Sequence, residues 1–133
     1  MAPVFLTFCP VYATIYTMPF CYSPWTNIDI DSQGNILPCC KYRPALDDPT
    51  FNIQHHSLNE YARSAFLREI QQEFQQDRWP PGCVRCRVEE ENNVKSKRQL
   101  DHDRWTEHYA KYDINSDQWI TASLAFGNTC NLK

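Results

Sequence analysis

Cys83-Val84-Arg85-Cys86, set directly behind Pro80-Pro81-Gly82, places two thiols on one tight turn. A C-x2-C knuckle can point both sulfurs at a single metal, and a chain that does so gathers the rest of its fold around that point. Whether it finds further ligands depends on the other cysteines. There are seven in 133 residues, at positions 9, 21, 39, 40, 83, 86 and 130. An odd number fits a disulfide framework poorly. The apolar N-terminus lacks the basic start of a secretory signal, since no Lys or Arg precedes Lys41, and Pro3, Pro10 and Pro19 interrupt it. No apolar run reaches transmembrane length. The expected compartment is a reducing cytoplasm, where clustered cysteines more often hold metal than pair.

Residues 1–20 carry no readable pattern. From Trp25 the chain alternates, with Trp25, Asn27 and Asp29 on one side and Thr26, Ile28 and Ile30 on the other, which predicts a strand. Asp31-Ser32-Gln33-Gly34 is a turn, and Asn35-Ile36-Leu37 returns as a second strand ending at Pro38-Cys39-Cys40. The hairpin brings its ends together, with Cys21 before the first strand and Cys39-Cys40 after the second. The candidate ligand set is therefore Cys21, Cys39 or Cys40, Cys83 and Cys86. Four thiolates suit tetrahedral Zn²⁺ or an iron–sulfur cluster, and spacing does not choose between them. Free, buried structural cysteines are the plainer alternative. Cys9 is not expected to be a ligand, and a redox C-x-x-C pair is the weaker reading because no βαβ pattern surrounds Cys83 and Cys86.

The rest of the chain is expected to be helical and loop-rich, in keeping with nine prolines and three glycines. Lys41 to His56 reads as a loop. Ser57-Leu58-Asn59-Glu60 is a capping box that opens a short helix. A second helix starts near Ser64, with Phe66, Ile70 and Phe74 on one face, and stops at Trp79-Pro80-Pro81-Gly82. A polar helical stretch should run from Cys83 to about Leu100, with Glu89-Glu90-Glu91 near its start and Lys95, Lys97 and Arg98 near its end. Arg104 to Tyr112 reads as another short helix. Trp119 to Phe126 reads as a strand with Ile120, Ala122, Leu124 and Phe126 on one side.

Other chemistry is thinly represented. A net charge of −3 gives no global electrostatic case for nucleic acid or an anionic membrane. His55-His56 read as solvated loop residues rather than metal ligands, and His102 and His108, beside Asp101 and Asp103, as the exposed side of a helix. Lys95-Ser96-Lys97-Arg98 reads as a solvated helix end. Trp25 and Trp79 are expected to pack around the cysteines and limit solvent access. No serine or cysteine has the surroundings of a triad nucleophile, and there is no glycine-rich phosphate loop.

The order of these pieces resembles a known family. Phe20-Cys21-Tyr22-Ser23-Pro24-Trp25, then Gly34-Asn35-Ile36-Leu37-Pro38-Cys39-Cys40, then Leu67-Arg68 and Cys83-x-x-Cys86 are similar to the twitch (half-SPASM) domain of radical SAM proteins. Glu90 and Ser96-Lys97-Arg98 look like that family's E…S-x-R segment. Asn128-Thr129-Cys130-Asn131-Leu132-Lys133, behind Gly127, looks like the first strand and cluster loop of a radical SAM core. The resemblance covers about residues 20 to 133. It implies that the cysteines bind an auxiliary [4Fe-4S] cluster, with Cys39 favoured over Cys40. It also implies that Cys130 is the first ligand of a SAM-cleaving cluster completed only in a longer parent. Residues 1–19 have no counterpart in the family pattern. Lys41-Tyr42-Arg43-Pro44 replaces its usual small-residue segment.

The expected fold is α+β, a small cysteine-rich metal-binding domain with a β-hairpin and several short helices. The expected divisions are an extension at 1–19, the four-cysteine domain at 20–100, a linker with a short helix at 101–118, and the start of a truncated radical SAM core at 119–133. The expected function is that of a metal-binding auxiliary fragment, not catalytic alone. Its cofactor is a [4Fe-4S] cluster, or Zn in the isolated fragment, with SAM used only by the parent. The alternative is a free-standing structural zinc module. Expected partners are the radical SAM core in cis and, through the C-terminal strand, the domain's own sheet or a second copy of the chain.

Overall fold

The computed structural model describes residues 18–116 and 118–127. Pro24 at the start of a turn sets the first of the described elements, a single helical turn α1 (Ser23–Thr26). Trp25 and Thr26 therefore belong to a helix, not to the strand their alternation suggested. Strand β1 (Asn27–Ile30) follows, and β2 (Ile36–Leu37) pairs with it antiparallel, Asp29 opposite Leu37 and Ile30 opposite Ile36. The turn between them closes through Gly34 N–H donating to the Asp31 carbonyl at 3.0 Å. Gly34 has φ +87°, a conformation in which a side chain is strained. The Asp31 carboxylate accepts from the backbone N–H groups of Gln33 and Asn35, each at 2.9 Å.

Two short helices come next. In α2 (Leu58–Ala62) Ser57 and Glu60 form the capping box read from the sequence. In α3 (Ala65–Gln75) Ser64 Oγ caps Leu67 N–H, and Phe66, Leu67, Ile70 and Phe74 are buried. These side chains complete a core with Trp25, Ile28, Ile36, Tyr42 and Tyr61. Asp77, at φ +57°, turns the chain out of α3, and Pro80-Pro81 carries it into the 3-10 turn Pro81–Cys83.

The helical stretch expected from Cys83 to Leu100 is two helices. Helix α4 (Val84–Glu91) ends at Asn92, and Asn93 takes φ +57°. Helix α5 (Lys97–Tyr109) then starts on a second capping box, Ser96 with Gln99, and carries a kink at Trp105. It runs through residue 100, where a division was expected, and absorbs most of the separate helix expected from Arg104 to Tyr112.

Strand β3 (Thr121–Leu124) pairs parallel with β1, giving the sheet order β2-β1-β3. It thus joins the domain's own sheet. Thr121 Oγ1 donates to Asn27 Oδ1 at 2.7 Å, and Tyr112 Oη donates to the Trp25 carbonyl at 3.0 Å, which anchors the approach to β3. The outer surface of β3 is open, and Leu124 and Phe126 are 52% and 95% exposed. The architecture is α+β, and its core joins Ile28 and Ile36 of the sheet to Phe66, Leu67, Ile70 and Phe74 of α3. Cys21, Cys39 and Cys83 pack against the flank of that core.

Candidate metal centre

Four cysteines reach one cavity from three separate parts of the chain. Cys21, Cys39, Cys83 and Cys86 line it together with Ser23, Lys41, Tyr42, Phe74, Trp79, Lys97 and Arg98. Cys40 is exposed and is not on its wall. His55 is exposed, and His56 accepts from Asn52 N–H through Nδ1 at 3.3 Å, away from the cavity. His108 is exposed, but His102 is buried, with Tyr22 and Tyr109 as ring neighbours. The expectation of an exposed His102 is therefore corrected. His102 lies one turn beyond the buried Arg98, on the same face of α5, and burial lowers its pKa, with Asp103 raising it and Arg98 lowering it. Cys9 and Cys130 lie outside the described residues.

Local hydrogen bonds explain how the sequence gathers the set. Asn27 Nδ2 donates to the Pro38 carbonyl at 2.9 Å and ties the start of β1 to the corner that carries Cys39. Tyr42 N–H donates to the Cys39 carbonyl at 3.2 Å and folds that corner back. Arg43 N–H donates to the Gly82 carbonyl at 3.0 Å, which holds the corner against the knuckle. Gly82 has no room for a side chain, because a Cβ there would stand 2.2 Å from Tyr42 Cζ. The Tyr42 ring occupies the space a side chain would need, so the close approach of the two cysteine-bearing segments depends on glycine immediately before Cys83.

A buried ion pair closes the remaining side. Arg98, at the start of α5, is buried, not solvated as its basic run suggested. Its Nη2 donates to Glu90 Oε2 on α4 at 2.6 Å, and its Nη1 donates to the Phe20 carbonyl at 3.0 Å. The guanidinium also lies 5.2 Å from the Trp79 ring centroid, within cation–π range. Arg98 thereby joins the residue before Cys21 to the helix that carries Cys86. Ser96, fully buried, donates from Oγ to Glu90 Oε1 and fixes the other carboxylate oxygen. Reading residue by residue missed this clamp. The signal present in the sequence was the ordered Glu90, Ser96 and Arg98 segment.

The electrostatics are those of desolvated, mutually close thiols. Burial pushes the Cys39 thiol up to about 12, with Cys21 adding to the rise and the Lys41 N–H and Lys97 charge opposing it. Cys83 is raised by burial and by Cys21, Cys39 and Cys86. Cys21 is raised by burial, against hydrogen bonding from Ser23, whose N–H lies 3.4 Å from its Sγ. Such thiols keep their protons in the absence of a metal ion, and a bound metal reverses that by deprotonating them. Among the described residues no group of three or more His, Cys, Asp or Glu is drawn in to hold a single metal ion. The four thiols instead border a shared apolar cavity, held at its edges by backbone hydrogen bonds and the Arg98 clamp. An all-cysteine donor set, a water-poor wall and N–H groups directed at sulfur fit an iron–sulfur cluster chemically.

Comparison with protein families places part of the chain in a known family. Residues 21–87, about half of the chain, match SPASM, described as an iron-sulfur cluster-binding domain. The span opens on Cys21 and closes one residue beyond Cys86. No curated protein and no solved structure matches the chain. With the family span enclosing all four cysteines that the fold brings to one cavity, the chain belongs to the SPASM family of iron–sulfur cluster-binding domains.

Proposed function

We propose that Cys21, Cys39, Cys83 and Cys86 ligate an auxiliary [4Fe-4S] cluster and that the domain serves a radical SAM protein whose core lies in cis. The observation that carries this reading is the convergence of four thiols, and among the described residues no His, Asp or Glu, on the wall of one cavity. Cys40 is set aside as a ligand because it faces solvent while its neighbour lines the cavity. When bound, the cluster would supply one-electron transfer. The chain's own residues supply the four ligands. Trp79 and Phe74 shield them, and the N–H groups of Ser23 and Lys41 donate toward sulfur and stabilise the thiolate form. Catalysis of radical chemistry belongs to the core, not to this domain. A reducing cytoplasm suits such a centre, because it keeps the thiols available for metal.

Single serine substitutions test the ligand set. Cys83→Ser and Cys86→Ser are expected to lose stoichiometric metal and to lower the thermal midpoint. Cys40→Ser is expected to keep the wild-type metal content and absorption. Full metal content in Cys83→Ser, or its loss in Cys40→Ser, would contradict the assignment.

A further inference from the structure

We propose that Lys97 sets the redox potential of the cysteine-held centre, acting as a fixed positive charge that Asp101 tempers. The inference rests on the reading that these cysteines hold an iron–sulfur cluster.

Three cations stand on the cavity wall, Lys41, Lys97 and Arg98. Each is paired with a carboxylate that is not on the wall, namely Glu89, Asp101 and Glu90. Positive charge therefore faces the thiols and negative charge sits behind it. Arg98 is also structural, since it bonds to Phe20. Lys97 differs, because its ion pair is with Asp101 on its own helix, one turn on. Its position is fixed by the buried cap at Ser96, which begins α5 at the cavity. The side chain is only 25% exposed, so water screens it weakly. Its charge is felt at Cys39 on the same wall.

A four-thiolate iron–sulfur centre gains one negative charge when it accepts one electron. A nearby cation stabilises the reduced form more than the oxidised form and so raises the potential. A carboxylate behind that cation has the opposite effect. Removing Lys97 and removing the Asp101 charge must therefore move the potential in opposite directions, whereas damage to packing has no such sign rule.

The test uses the full chain, purified anaerobically with its cluster, in a potentiometric titration with dithionite as electron donor, followed by electron paramagnetic resonance. Lys97→Met is expected to lower the midpoint, by up to about tenfold in the reduced-to-oxidised ratio, ~59 mV for a one-electron couple. Asp101→Asn is expected to raise it, and Lys97→Arg to stay close to wild type. If Lys97→Met fails to load, the direction of Asp101→Asn still decides. Shifts of Lys97→Met and Asp101→Asn in the same direction, or unmoved potentials with cluster content intact, overturn the inference. Wild-type protein holding zinc and no sulfide overturns both this inference and the cluster reading.

Discussion

Arg98 brings a charge into the interior and spends its hydrogen bonds on joining two cysteine-bearing segments, at Phe20 and at Glu90. Breaking a buried pair by removing one partner leaves the other charge uncompensated, at a cost of about 3–5 kcal/mol. Arg98→Met should therefore lower the unfolding free energy from a urea titration by an amount of that order, and it should loosen metal retention as well. A stability loss below about 1 kcal/mol would place the pair among ordinary surface bridges. Gly82 makes a second residue-scale test. Gly82→Ala puts a methyl into the Tyr42 ring and should destabilise by about 1–3 kcal/mol, read by the same unfolding curve. The two residues differ in how legible they were. Gly82 is marked by its neighbours, Pro81 and Cys83, whereas the basic run around Arg98 resembles any solvated helix end. Composition hides that this arginine points inward; beyond the ordered Glu90, Ser96 and Arg98 segment, the packing of Trp79 and the Phe20 carbonyl reveals it.

Helix starts were written locally and could be read. Ser57 and Glu60 satisfy each other's backbone donors within four residues, so no tertiary knowledge was required. The same logic marks Ser96 and Gln99, but there the polar run on both sides hid the break, and the left-handed Asn93 was the missed punctuation. These two caps should differ in consequence. Ser57→Ala, at an exposed position, should cost about 1 kcal/mol. Ser96→Ala should cost more, because Ser96 is fully buried and its hydroxyl also holds Glu90 in the Arg98 clamp. Equal losses in thermal or urea unfolding would argue that the clamp adds nothing to the cap. Strand β3 shows where local reading stops. Alternation placed Ile120, Ala122, Leu124 and Phe126 on one side, yet a parallel pairing with β1 across some ninety residues cannot be read from either strand alone. Nor does alternation reveal that this face stays open, with Phe126 almost fully exposed.

At the scale of the molecule, the apolar core and the cysteine cavity share a wall. Phe74 and Tyr42 belong to both, so metal and core should stabilise each other. Removal of metal by a chelator is expected to lower the thermal midpoint, as for other domains in which binding energy is folding energy. An unchanged midpoint after complete removal would show the core to be self-sufficient. The cysteine pairing across the hairpin was legible because antiparallel strands bring their ends together. Spacing left Cys39 and Cys40 both open and only the family resemblance favoured Cys39; which of the two lines the cavity depends on how one corner turns. The central claim is that this SPASM domain carries an iron–sulfur cluster on Cys21, Cys39, Cys83 and Cys86. Its most direct test is the iron, zinc and acid-labile sulfide content of the full chain after strictly anaerobic purification. About four iron and four sulfide per chain is the result predicted for a single [4Fe-4S] cluster. One zinc per chain with no sulfide would contradict it and leave a structural zinc site in its place.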